Sequence, residues 1–147
     1  MLGRTPMRTK LSLIPLVLVL VSSRSGAVEG DLARLQGRWG ATIGPRREAD
    51  VLLEINGNAV SATIRTAKGL KILADGEIRI DERMSPKALD WVKFTTVDGQ
   101  EVPAMQAIYR IEGDRLIIRS GGFNDRRPTA FEGGPGIWSE VLVFQRR

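Results

Sequence analysis

The chain has 147 residues, with 22 Lys+Arg against 17 Asp+Glu and neither His nor Cys. That is the length of one ordinary domain, long enough for one real core. The missing residue types exclude a Ser-His-Asp triad, a His-ligated metal, a disulfide, thiolate catalysis, and any zinc or iron–sulfur centre held by cysteine.

The first ten residues carry Arg4, Arg8 and Lys10 without an acid. Residues 11–21 are apolar except for Ser12 and Pro15, and Ser25-Gly26-Ala27 supplies the small residues of a cleavage site. This order of charge, apolar run and small residues predicts a secretory signal peptide over 1–27, cut after Ala27. The apolar run is shorter than the ~20 residues a spanning helix needs. An uncleaved anchor or a core helix is the competing reading. Export to the periplasm or the extracellular space is expected, with no stable membrane insertion once the leader is removed. Residues 1–27 hold four basic residues and no acidic one, so the remainder has 18 Lys+Arg against 17 Asp+Glu. The basic excess belongs to the leader. Without a basic face or stripe, nucleic acid is not an expected partner.

From residue 28 the pattern is almost entirely that of strands. Residues 28–36 read as a short segment with one helical turn over 32–36, capped by Asp31. Strands are predicted at 38–43, 50–55, 60–66, 70–80, 88–96, 104–111, 115–120 and 140–146. Val51, Leu53 and Ile55 share one face of the second strand, as do Val60, Ala62 and Ile64 in the third. In 70–80 the apolar parity runs through Leu70, Ile72, Ala74, Ile78 and Ile80 across Gly76, which predicts one continuous strand with a bend at the glycine. Asn56-Gly57, Lys68-Gly69, Asp98-Gly99 and Gly113-Asp114 mark turns between neighbours. No helix is long enough to cross a parallel sheet. The expected fold is all-β, an antiparallel eight-stranded up-and-down barrel preceded by a short helical turn, occupying 28–147. A sandwich of two four-stranded sheets is the competing arrangement.

Gly37-Arg38-Trp39 at the start of the first strand resembles the Gly-x-Trp signature of lipocalin-like barrels. The stretch Asp31-Leu32 through Leu35-Gln36-Gly37 and Trp39 is similar to the opening of a family of exported lipocalin-like domains of unknown function, expanded in planctomycetes. Residues 85–90, 108–116 and 127–131 resemble the same family, in the same order. The resemblance implies a signal peptide and a small barrel whose end is closed by Gly37 and Trp39, with Arg146 or its neighbour Arg147 packing across the indole. It implies no catalytic residue. Arg38 departs from the small or polar residue common there, and the segment 44–49 is short, which predicts a less covered barrel mouth.

Other constellations carry little chemistry. Asp90 and Glu101 are candidate paired carboxylates, and Ser85-Pro86-Lys87 places a hydroxyl near an amine. The first pair reads better as solvated strand positions and the second as a turn. Residues 133–136, Gly-Gly-Pro-Gly, lack the Lys and helix of a phosphate loop. Asn124, Asp125 and Glu132 do not have EF-hand spacing. No catalytic residue, metal or cofactor is therefore expected. The long segment 121–138 carries Phe123, Phe131 and Trp138 beside Arg126 and Arg127. These five are the expected ligand-binding residues, on a lid over the barrel mouth. The expected function is non-enzymatic: binding of a small apolar or amphipathic molecule inside the barrel. The alternative is a filled barrel that serves as a structural or protein-interaction module of the cell envelope.

Overall fold

Two-residue periodicity with β-branched and aromatic residues on one parity drives the chain into sheet that buries one face. A computed structural model describes residues 29–132 and 141–147, together with Gly3. The predicted leader, Gly3 apart, lies outside the described residues, as do Trp138 and the stretch 133–136. One short helix, α1 (Gly30–Leu35), precedes nine strands: β1 (Gly37–Ile43), β2 (Ala49–Asn56), β3 (Ala59–Thr66), β4 (Lys71–Asp81), β5 (Ala88–Thr96), β6 (Glu101–Val102), β7 (Met105–Glu112), β8 (Arg115–Phe123) and β9 (Leu142–Arg146).

Every pairing is antiparallel. Apart from β6 and β7, neighbours in sequence are neighbours in the sheet, β4 pairs with β5, and β9 returns to pair with β1. The result is a closed eight-stranded up-and-down barrel with β6 as an extra short strand. β6 and β7 lie along the same side of β5, through Phe94↔Val102 and Trp91↔Met105. Pro103, which has no N–H to donate, stands between them. Closure leaves no long unpaired edge.

β4 is one continuous strand whose register against β5 shifts between Asp75 and Glu77. The Phe94 ring fills the space at Gly76, where an added Cβ would lie 2.5 Å from Phe94 Cγ. Close approach of an aromatic ring is why glycine stands here. Most strand boundaries differ from the sequence expectation by one residue, and two larger differences bear on the site. β8 continues to Phe123 through a bulge opposite β7, because Met105 pairs with Phe123 while Ala107 pairs with Ser120. The helix begins at Gly30, with Glu29 as its N-cap residue and no side-chain cap. Asp31 therefore lies inside the first turn and does not cap it.

The core fills one end of the barrel. Leu35, Trp39, Val60, Ile78, Leu89, Tyr109, Leu116 and Phe144 are each at most 2% exposed. α1 lies across this end, tied to the β2–β3 turn by reciprocal hydrogen bonds: Gln36 Nε2 donates to Gly57 O (2.9 Å) and Gly57 N donates to Gln36 Oε1 (2.6 Å). No helix among the described residues is long and apolar enough to cross a membrane.

Candidate functional site: a cavity open at one end of the barrel

The barrel interior changes character along its axis. Toward α1, Ile55, Val60 and Ile78 meet with large side chains. Further up, β3 and β4 face each other through Ala62↔Ala74, and two methyl groups cannot fill the space that isoleucines fill below. A cavity of about 430 Å³ results, within the range of small-molecule sites. Leu53 and Phe144 form its floor, and Val51, Ile64, Ile72, Trp91, Phe94 and Met105 its walls. It opens at the end where Ile72 and Phe123 are 39% and 45% exposed.

Polar groups in the lining are few and already engaged. Trp91 Nε1 donates to Ser120 Oγ (3.2 Å), and the Thr96 hydroxyl donates to Asp98 in the next turn. Trp91 and Phe94 meet edge to face, with centroids 6.0 Å apart. The wall thus offers dispersion contact and few free hydrogen-bonding groups. An apolar body fits it, and a polar one would be desolvated without compensation.

The opposite end is sealed by charge and hydrogen bonding. Trp39 Nε1 donates to Leu35 O (2.8 Å), and the Arg146 guanidinium lies 4.1 Å from the centroid of the Trp39 ring. Arg146 Nη1 donates to Gln36 O (2.9 Å) and Nη2 to Arg34 O (2.7 Å), so one side chain satisfies two carbonyls at the C-terminal end of α1. Gly37, at φ 107°, is the joint between α1 and β1. Arg147 lies instead across Gly40.

Asp31 is 5% exposed. Its carboxylate accepts from Lys87 Nζ (2.8 Å), Tyr109 Oη (2.9 Å) and Arg34 Nη1 (3.2 Å), while its N–H donates to Glu82 Oε1 (3.0 Å). Burial alone would raise this carboxyl group; the bonds from Lys87 and Tyr109 outweigh it and hold the group below its ordinary value. Burial, then the Asp31 carboxylate, push the Tyr109 hydroxyl far above its ordinary range. This network ties α1 to β7 and the β4–β5 loop beneath the core.

The five expected ligand-binding residues separate. Phe123 lines the cavity at its mouth. Residues 124–132 run down the outer wall and do not span the opening. Arg127 Nη2 is 2.7 Å from Asp90 Oδ1 and Nη1 donates to Ala107 O (2.6 Å). Phe131 stacks on Arg110, 4.7 Å from the ring centroid. Arg110 alternates with the inward Tyr109 and Ile111, so Phe131 lies outside the barrel. Arg126 is exposed on the same strap, and Trp138 lies outside the described residues. Two features draw the strap to the wall. Arg119 Nη1 donates to Ala130 O (2.6 Å) and Glu132 O (2.8 Å). Gly121 lets the backbone approach so closely that a Cβ there would overlap Arg126 O.

Asp90 and Glu101 are not brought together. Asp90 pairs across from Gln106 and Glu101 across from Thr95, about 16 Å apart along β5 at strand rise. Lys87 is engaged by Asp31 and makes no bond to Ser85. Among the described residues no cluster of three or more acidic, His or Cys side chains could hold a metal ion. The sequence reading missed the Ala62–Ala74 pair, whose only signal was small residues at inward positions, and the aromatic wall of Trp91 and Phe94. Comparison of the chain with family models, with curated proteins and with solved structures finds no match in any of the three.

Proposed function

We propose that the chain is a binding protein, and not an enzyme, that holds one small apolar or amphipathic molecule in the barrel cavity. The observation that carries this reading is the division of the interior. One half is packed to exclusion of solvent, while the other half is an apolar cavity of about 430 Å³ with an opening. An unfilled apolar space forfeits dispersion contacts that larger side chains at Ala62 and Ala74 would supply, which favours a role for the space itself. The leader pattern at 1–27 and the resemblance to exported lipocalin-like domains support a place of action outside the cytoplasm.

The test is titration with a hydrophobic fluorescent probe, using the chain from Val28 to Arg147. The expected result is saturable binding of one probe per chain that Ala62→Phe abolishes, because the ring occupies the cavity. Phe131→Asp, on the outer wall, leaves binding intact. Probe binding that survives Ala62→Phe unchanged would place the probe elsewhere and overturn the reading in favour of a module that works through its surface. Native mass spectrometry of the exported chain before and after organic extraction then identifies the class of any bound molecule by its mass.

A further inference from the structure

Four basic side chains near the sealed end are held in ion pairs: Arg34 and Lys87 at Asp31, Arg146 at Asp114, Arg115 at Glu112. The mouth is different. The β1–β2 turn follows Ile43, and the β3–β4 turn joins Ile64 to Ile72, all three of them cavity-lining residues. These two turns are linked by the bond from Ala67 N to Glu48 O (2.8 Å). Between them they present Arg46, Arg47, Lys68 and Lys71, all exposed and without an ion pair among the described residues. The one carboxylate within these turns, Glu48, is folded back onto Arg46 N (2.8 Å).

Beside these cations lies exposed apolar surface that the fold does not use. Leu70 is 58% exposed, Leu73 39%, and Val97, in the turn after β5, 77%. Val97 N donates to Leu73 O (3.2 Å), which joins these two, and Leu70 precedes Leu73 by three residues at the same end of the barrel. Leu70 stands between Lys68 and Lys71, while the Asp98 that follows Val97 accepts from the Thr96 hydroxyl; apolar tips beside cations have the composition of a surface that seats at a lipid interface. The apolar groups enter the acyl boundary and the cations meet anionic headgroups. A polar protein partner would not call for Val97 and Leu70 at the tips.

We infer that the mouth of the barrel docks on an anionic lipid bilayer, with Leu70, Leu73 and Val97 seated in the interface and Arg46, Arg47, Lys68 and Lys71 on the headgroups. The chain lies on the membrane and does not span it. Docking in this orientation turns the cavity opening toward the lipid, yet it depends only on the rim and is independent of whether the cavity binds a molecule.

The experiment is co-sedimentation of the chain from Val28 to Arg147 with vesicles of phosphatidylcholine alone or mixed with phosphatidylglycerol. Binding is expected only to the anionic vesicles and falls with salt. Lys68→Glu with Lys71→Glu weakens it on the order of 25-fold or more, at roughly fivefold per basic residue. Leu70→Ser with Val97→Ser also weakens it. Arg79→Glu, on the outer wall near the sealed end, does not. All five positions are exposed, and circular dichroism verifies that each variant is folded. Absence of binding, equal binding to both vesicle types, or equal loss in Arg79→Glu would overturn the inference. So would full binding by the Leu70/Val97 variant. Ala62→Phe separates the two proposals: it removes probe binding and leaves vesicle docking intact.

Discussion

At Asp31 a buried carboxylate is tolerated because three donors surround it. Removing the carboxylate orphans the buried Tyr109 hydroxyl and the Lys87 ammonium together. Asp31→Ala is therefore expected to cost about 2–4 kcal/mol in denaturant unfolding. Tyr109→Phe, which removes one donor of three, costs about 1 kcal/mol. The pH dependence follows from the direction of the shifts. The Asp31 carboxyl group is held below its ordinary 3.8, so the folded state binds its proton less readily than the unfolded chain. Its stabilisation is present above pH 3.8 and is lost as pH falls through the lowered value. Tyr109 is raised above its ordinary 10.0, so its contribution is present below pH 10 and fades as pH climbs beyond it. Asp31→Asn is expected to flatten the acid side of a stability–pH curve measured by denaturant midpoint.

Among the elements, α1 is too short to be stable alone, and its existence depends on what it touches. Arg146 satisfies its last carbonyls and covers Trp39, so Arg146→Ala should cost about 2–3 kcal/mol. Arg146→Lys keeps the charge but loses the planar fork that reaches Gln36 O and Arg34 O together, and is expected to recover less than half of that loss. The strap 124–132 depends in the same way on Gly121. Gly121→Ala forces the Arg126 backbone off the wall, and limited trypsin digestion is expected to cut faster after Arg126, since Pro128 protects the bond after Arg127. The barrel strands stay protected, because the strap adds no stave. The order of elements was legible in the sequence because alternation names a strand and Gly-containing turns separate neighbours. The strap was not: its aromatics and arginines suit a lid equally well. Only the carbonyls that Arg119 and Arg127 reach across the fold decide where it lies.

For the whole molecule, the balance is between filling the barrel and leaving it open. Ala62→Phe is expected to raise unfolding free energy by about 1 kcal/mol, measured by denaturant titration, while it removes probe binding. A stability gain with loss of binding is what a cavity kept open for a ligand predicts. Val51, Leu53, Ile55, Val60, Ile64, Ile72 and Ile78 all read as inward-facing from parity. In the barrel, Ile55, Val60 and Ile78 pack beneath α1, Val51, Ile64 and Ile72 line the cavity, and Leu53 belongs to both as its floor.

The sequence by itself determined the class of fold, the order of the eight barrel strands and which parity of β2, β3 and β4 faces inward. Those follow from local period and turn chemistry, which act over a few residues. Tertiary structure alone decided which inward residues are core and which line space, because that depends on what stands opposite across the barrel. Ala62 meets Ala74, and Phe144 joins Trp39 in one core cluster, through pairing of segments separated in the chain. It also decided that the exposed cations Arg46, Arg47, Lys68 and Lys71 share one rim with the exposed Leu70 and Val97, since strand pairing brings those turns to the same end.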